Sequence, residues 1–185
     1  MAAPVDPAQV GRARKGDAAA FEALVEARVG PMTRTAMAIL GREDEALDAV
    51  QDALVIAWRE LASLRDPAAF DAWLTRILVN RCKRGLRRVV RQRVREIPAD
   101  VVAASALEPS VTDPGVAGAG QRDAIERAFE RLTVDERTIL VLHHLDGRPV
   151  AEIATVLKVP TGTAKSRLFA ARRSLDRALE GEGGR

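Results

Sequence analysis

The sequence predicts an all-α protein: two small helical domains joined by a flexible linker, the C-terminal one a helix-turn-helix. Three observations predict it. Apolar residues recur at steps of three and four over most of the chain, the period of a helix with one buried face. Aromatics make up 3% of the residues and Tyr is absent, so the cores must rest on Leu, Val, Ile and Ala, a composition that favours helices. From Ile97 to Gly120 the periodicity stops. That segment carries Pro98, Pro109 and Pro114 and no positive charge, and it is too poor in large side chains to build a core.

Taken in order, residues 1–16 read as a flexible N-terminus. Asp17 is placed to cap a helix whose apolar face is Phe21, Leu24, Val25 and Val29, ending at Gly30-Pro31. A second helix follows from Met32 to Leu40, closed by Gly41. The third opens on Glu43, Asp44 and Glu45 and carries no cation as far as Trp58; Leu47, Val50, Leu54, Trp58 and Leu61 give it an apolar stripe. Carboxylates in the first turn suit the helix dipole. Asp48 and Asp52 lie beyond that turn and suggest a docking face for a basic partner. Ser63 to Pro67 is a break, with Pro67 suited to the first turn of the next helix.

That next helix has two characters. Phe70, Trp73, Leu74, Ile77 and Leu78 form one apolar stripe, while nine Lys and Arg residues and no acid occupy the stretch between Asp71 and Glu96. A dry face opposite a cationic one is built to be held by a core and to hold an anion; a merely solvated helix would mix in Glu. The first domain is therefore 17–96, with the linker at 97–120.

The second domain spans 121–181. Ile125, Ala128, Phe129 and Leu132 form one stripe. Thr133 and Glu136 form a capping box before Ile139, Leu140 and Leu142. Asp146-Gly147 turns the chain, and Pro149 begins a short helix with Val150, Ile153, Ala154 and Leu157 inward. Lys158-Val159-Pro160 breaks it, and a last helix carries Ala164, Leu168, Ala171, Leu175 and Leu179 inward. Short helix, tight turn and longer helix make a helix-turn-helix. At the start of its second helix Thr161, Gly162, Thr163, Lys165, Ser166 and Arg167 face outward, with Arg172 and Arg173 further along. From Lys158 to Leu175 there is no acid. Small residues let a helix terminus approach a phosphate, and Lys and Arg just inside reach base edges, which favours DNA over a plain helical hairpin.

Charge is segmented: net +4 over residues 1–96, −3 over 97–120 and +2 over 121–185. Cys82 is the only cysteine, and His143 and His144 are adjacent, so neither a disulfide nor a two-His metal site is expected. No cofactor is implied. No apolar run reaches the roughly 18–20 residues of a membrane span, and the first residues lack a signal-peptide core; the expected setting is the cytoplasm, without membrane insertion. There is no P-loop, no GxSxG and no metal-ligand cluster, so the chain is not expected to be an enzyme.

The residues as a set resemble the extracytoplasmic-function (ECF) group of the sigma-70 family of bacterial RNA polymerase sigma factors. DALVIAWREL, Asp52 to Leu61, resembles the core-binding helix; FDAWLTRILVNRCKRGLRR, Phe70 to Arg88, the promoter −10 helix; Leu132 to Leu175 the −35 helix-turn-helix. The three come in the family's order and cover most of residues 17–179. The resemblance implies that Asp48, Gln51, Asp52 and Trp58 dock on the clamp helices of the polymerase's largest subunit, with the C-terminal domain on its flap. It implies that Ser63, Leu64, Arg65 and the helix face around Asn80 hold an unstacked −10 base, with Trp73 in the place of the family's melting aromatics. Arg76, Arg81, Lys83, Arg84, Arg87 and Arg88 would hold phosphates, and Lys165, Ser166 and Arg167 would read or grip the −35 element. The acidic linker would thread polymerase channels. An anti-sigma factor is a further implied partner. Trp73-Leu74 stands where housekeeping members have Trp-Trp, Thr75 where many relatives have an aromatic, and Ala170 where many have Arg. The alternatives are a stand-alone helix-turn-helix regulator, which would need neither acidic helix nor linker, and an RNA-binding adaptor, which would need exposed stacking aromatics.

Overall fold

The computed structural model describes residues 5–96 and 119–183. Where the sequence predicts a flexible N-terminus there is a helix, α1 (Pro7–Arg14), with Asp6 as its cap accepting from the Ala8 amide at 2.9 Å. Val10 and Ala13 are buried and hold it against α2 (Ala18–Leu40). Two buried apolar residues in an octamer leave little periodic signal, and tertiary contact supplies the rest. Asp17 caps α2 as expected, accepting from Ala20 N at 3.0 Å.

The break expected at Gly30-Pro31 does not occur, because α2 runs through it. An interior proline removes a backbone hydrogen bond and costs about 3 kcal/mol. Here Leu24, Arg28, Met32, Thr35 and Ile39, spaced by three and four, keep one buried phase across the proline. Packing along the whole helix outweighs the local penalty. Gly41, at φ 75°, closes it by donating its N–H to the Met37 carbonyl.

Helix α3 (Glu43–Glu60) has its stripe turned from the expected one. The buried residues are Ala46, Ala49, Val50, Ala53 and Ala57, whereas Leu47 and Trp58 are 50% and 40% exposed. Small side chains let α3 approach α2 and α4 closely, so the alanines, not the larger leucine and tryptophan, define the inward face. Two 3-10 turns, Leu61–Ser63 and Pro67–Ala69, lead into α4 (Phe70–Glu96), with Asp66 capping the second by accepting from Ala68 N.

The α4 stripe of Phe70, Trp73, Leu74, Ile77 and Leu78 is buried as expected. Arg28 anchors its start: Nε donates to Asp71, Nη1 donates to the Leu24 carbonyl, and the guanidinium lies 5.5 Å from the Phe70 ring centre. Thr75, Val79 and Cys82 are buried too. They form a second dry stripe beside the first, of which the sequence suggests Cys82 as a small buried residue but not Thr75 or Val79, and the C-terminal domain packs along this helix.

That domain comprises α5 (Ala119–Glu130), α6 (Val134–Leu140), a π turn (Val141–Leu145), α7 (Val150–Leu157) and α8 (Thr161–Gly183). The Thr133–Glu136 capping box forms: Glu136 accepts from Thr133 N at 2.9 Å, and Thr133 Oγ1 accepts from Glu136 N. Lys158 turns the chain between α7 and α8 in the left-handed region (φ 53°), its N–H donating back into α7. Ala128, Leu132, Ile139, Leu142, Ile153, Val156, Ala164, Leu168 and Ala171 make the core, while Ile125, expected inward, is largely exposed. Helices α2 and α4 contact α6 and α4 contacts α7, and buried residues from both domains belong to one continuous cluster.

Candidate docking and nucleic-acid surfaces

Three surfaces hold the expected functional residues. On α3 the outward face carries Asp48, Gln51 and Asp52, all exposed, together with the exposed Leu47, Val55 and Trp58. The turned phase of the helix creates this mixture. With alanines inside, large apolar side chains come out among the acids. Trp58 is both packing and surface, its ring 5.1 Å from that of Phe21. The leucine-based stripe places Leu47 in the core and does not address Val55, whereas the alternative alanine phase puts both outward. At the start of the helix Arg42 hydrogen-bonds Asp44 at 2.8 Å and holds that carboxyl below its ordinary range, keeping it ionised.

The second surface is α4 and the turn before it. Arg76, Asn80 and Arg84 lie four residues apart and so share one face; Asn80 and Arg84 are exposed and Arg76 is half-buried. Ser63 and Arg65 are exposed on the turn, with Ser63 Oγ donating to the Glu60 carbonyl at 2.7 Å. Two expected members of this site face the core instead. Leu64 and Trp73 are buried, Trp73 with its ring 5.9 Å from Phe70. Arg81 and Lys83 flank the face and are engaged elsewhere: Arg81 lies 3.9 Å from Asp52 on α3, and Lys83 pairs with Asp135 of α6 at 2.6 Å. The side chains of Arg87 and Arg88, and the linker from Ile97 to Gly118, lie outside the described residues.

The third surface is the start of α8. Thr161, Gly162, Lys165, Ser166, Arg167, Arg172 and Arg173 are exposed and Thr163 is half-buried. Ser166 Oγ donates to the Thr163 carbonyl at 3.0 Å. Phe169 stands among them 64% exposed, with the Arg173 guanidinium 6.0 Å from its ring centre. An apolar residue inside a helix is easily taken for core, but Ala164, Leu168 and Ala171 set a phase that excludes Phe169. Arg172 Nε donates to His144 Nε2 at 3.3 Å, which requires His144 to be neutral at that nitrogen. Burial, then the neighbouring His143 and Arg172, lowers its pKa.

Among the described residues no group of three or more His, Cys, Asp or Glu is placed to hold a metal ion. Burial pushes the Cys82 thiol up to about 12, so it is inert where it stands. Among the described residues no helix is long and apolar enough to cross a membrane.

An exposed acidic-apolar helix, a cationic helix and a cationic helix-turn-helix stand on one chain, a combination that fits a DNA-binding protein. The family model for sigma-70 region 2 matches residues 24–92, and that for sigma-70 region 4 matches residues 122–175. The RNA polymerase sigma-H factor of Pseudomonas aeruginosa is 34% identical over 184 residues, covering 95% of this chain and 94% of that protein. The ECF RNA polymerase sigma-E factor of Escherichia coli K12 is 32% identical over 181 residues, with 95% and 94% covered. Among solved structures, CnrH in complex with the cytosolic domain of CnrY superposes with TM-score 0.67 at 24% identity, covering 95% of this chain and 97% of that one. The sigma factor RpoE bound to the anti-sigma factor NepR from Bartonella quintana gives 0.65 at 24% identity, with 86% and 96% covered. The chain belongs to the ECF group of the sigma-70 family of RNA polymerase sigma factors.

Proposed function

We propose that this chain binds core RNA polymerase through the outer face of α3 and directs it to promoters through α4 at the −10 element and α8 at the −35 element. One observation carries the reading: three chemically distinct faces, each exposed, lie in the order in which the two sigma regions match. On α3, Asp48, Gln51 and Asp52 offer charge and hydrogen bonds to a basic helical partner, while Leu47, Val55 and Trp58 offer apolar area. Electrostatic complementarity then steers encounter and sets orientation. On α4, Arg76 and Arg84 hold backbone phosphates, a contact that positions without specifying sequence. Asn80, between them, has an amide that both donates and accepts, and with the Ser63–Arg65 turn it reads an unstacked base; extracting that base during melting costs a few kcal/mol, offset by its new contacts. Leu64 and Trp73 serve this site from beneath, by fixing the turn and the helix. On α8, Lys165, Ser166 and Arg167 meet the −35 element, with Arg172 and Arg173 on its phosphates and Phe169 available for apolar contact to a thymine methyl.

The chain performs no catalysis in this role, since polymerase supplies the chemistry. Its place of action is the cytoplasm, with core polymerase, and an anti-sigma factor is a partner by analogy with solved relatives captured in such complexes. Run-off transcription with core polymerase, with and without this protein, tests the reading on DNA selected for binding by the holoenzyme. Promoter-dependent product only in its presence is expected. A stand-alone regulator would instead protect DNA from cleavage without polymerase and leave core polymerase promoter-blind.

A further inference from the structure

Docking and promoter binding leave the adjacent pair His143-His144 without a role, yet both residues stand on a line of contacts into α8. The pair sits in the π turn Val141–Leu145, where the Asp146 N–H donates to the Val141 carbonyl five residues back at 3.0 Å. Single π turns in helical segments often mark functional positions. His143 is half-buried, and its Nδ1 lies 3.1 Å from the Arg148 carbonyl. A carbonyl oxygen only accepts, so this Nδ1 carries a proton. The His143 ring stands edge-on to that of His144, with 4.7 Å between centres. His144 is exposed, and its Nε2 accepts from Arg172 Nε at 3.3 Å. The π turn thereby reaches the cationic face of α8.

A guanidinium presents its N–H donors in a fixed planar fork. With Nε held by His144, the Nη1 and Nη2 end of Arg172 is left to grip a phosphate, the geometry in which arginine binds anions best. An exposed arginine otherwise samples many rotamers, and holding it before DNA arrives lowers the ordering cost of binding. The acceptor exists only while His144 is neutral. Once protonated, its Nε2 becomes a donor facing a cation, and attraction turns to repulsion. The charges that act on His144 are those of Arg172 and of His143 when protonated. Other charged groups around the turn are engaged elsewhere. Arg148 pairs with Asp146 and with Glu152 of α7, and Arg34 of α2 acts on Asp146. On α6, Arg137 donates to the carbonyls of Leu132 and Glu130, and Glu136 accepts from Thr133. Burial and the two cations hold the His144 pKa below its ordinary 6.5. The neutral form therefore prevails at pH 7, and the contact is lost as pH falls through the lowered value.

We propose that the His143-His144 pair is a proton-sensitive brace for α8: neutral His144 orients Arg172 toward the −35 backbone, and protonation of His144 releases that arginine and weakens −35 engagement. His144 is a positioning residue, acting through Arg172 and not on DNA. The inference rests on the assignment of α8 to the −35 element.

The chain has two histidines, so long-range proton–nitrogen spectra of the full chain, with His144→Gln as the assignment control, report His144 directly. In neutral solution its Nδ1 should be protonated and its Nε2 bare. Arg172→Ala should raise its titration midpoint by about half a pH unit, the scale of removing one charge a few ångströms away in water. The role in DNA binding is read from the affinity of holoenzyme for the selected promoter duplex, measured from about pH 8 down to about pH 5.5, the range in which His titrates. His144→Gln is the reference, because its amide oxygen accepts from Arg172 at every pH while His143 and Asp146 remain. Against that variant, wild type should bind equally at the upper end and about three- to tenfold more weakly at the lower, the effect of losing one hydrogen bond. His144→Ala should bind at the weaker level throughout, and His144→Ala/Arg172→Ala no more weakly than Arg172→Ala alone. A His144 protonated at Nε2, or a midpoint that Arg172→Ala leaves unmoved, would overturn the brace. Wild-type affinity that stays level with or rises above that of His144→Gln on acidification would overturn its role in DNA binding. So would effects of His144→Ala and Arg172→Ala that simply add. Affinity indifferent to scrambling the −35 element in every form would refute the promoter assignment and the role built on it, while the spectra would still report whether the brace forms.

Discussion

Reversing the charge of the outer face of α3 probes polymerase docking most cleanly, because the face contributes little to the fold. Asp48 is exposed, the Asp52 side chain is 69% exposed, and Asp52 has an ionic neighbour in Arg81, at 3.9 Å. Substitutions at such positions usually change stability by about 0.5 kcal/mol or less. Asp48→Lys/Asp52→Lys should therefore leave the melting temperature within a few degrees of wild type. Its effect on docking is of another size. Each reversal removes a favourable pairing and places a cation against a basic partner, and truncating even one member of a desolvated charge pair costs about 2–5 kcal/mol. One such loss already weakens binding roughly thirtyfold, so the double reversal should weaken core affinity at least about a hundredfold. Competition against a labelled sigma factor for core polymerase measures this directly, with circular dichroism as the folding control. Core affinity within threefold of wild type in a folded variant would refute the assignment of α3.

On α4, Asn80→Ala should relax discrimination at one −10 base by about 1–3 kcal/mol, whereas Arg84→Ala should weaken binding evenly across sequences and lower the salt slope by about one; fork-junction DNA titrated at several salt concentrations separates the two. Ala53→Leu should overpack the joint of α3 with its neighbours and cost about 1–3 kcal/mol in denaturant unfolding, whereas an outward-facing Ala53 would tolerate it. Acid should loosen the C-terminal domain through Glu136. Burial raises this carboxyl's pKa, but hydrogen bonds from Ser174 and Thr133 and the charge of Arg177 outweigh it, leaving the pKa below its ordinary 4.5. A lowered folded-state pKa gives stability that is present above the unfolded value and lost as pH falls through the folded one. Amide exchange in α6 should therefore accelerate below about pH 4.5, and Glu136→Gln should flatten that dependence.

Features written in local sequence were the legible ones. The Thr133–Glu136 box, the Asp17 cap and the Phe70–Leu78 stripe depend on residues within one or two turns of each other, and all three stand in the structure. Features set by packing between distant segments were not. Gly30-Pro31 is a break by propensity, yet α2 continues because its buried phase is held on both sides. In α3 two stripes compete at the same period, and close approach favours Ala46, Ala53 and Ala57 over the larger Leu47 and Trp58. The same limit applies to the surfaces. The exposed cations of α8 are readable from composition, and the inward stripe of Ala164, Leu168 and Ala171 already leaves Phe169 outside the core, where it stands. Leu64 and Trp73 look like base-contacting residues until their burial is known. Thr35 meets Asp146, Thr75 meets Arg148 and Lys83 meets Asp135, pairs separated by the linker and so invisible to any periodic pattern.

In this reading one chain couples polymerase docking to recognition of two separate DNA elements. Run-off transcription by core polymerase and this protein, on one selected promoter with the −10 and −35 elements scrambled singly, tests it most directly. Product should appear only with the protein present and should fall at least tenfold on scrambling either element. Equal product from the intact and scrambled templates, or product that does not depend on the protein, would contradict the account.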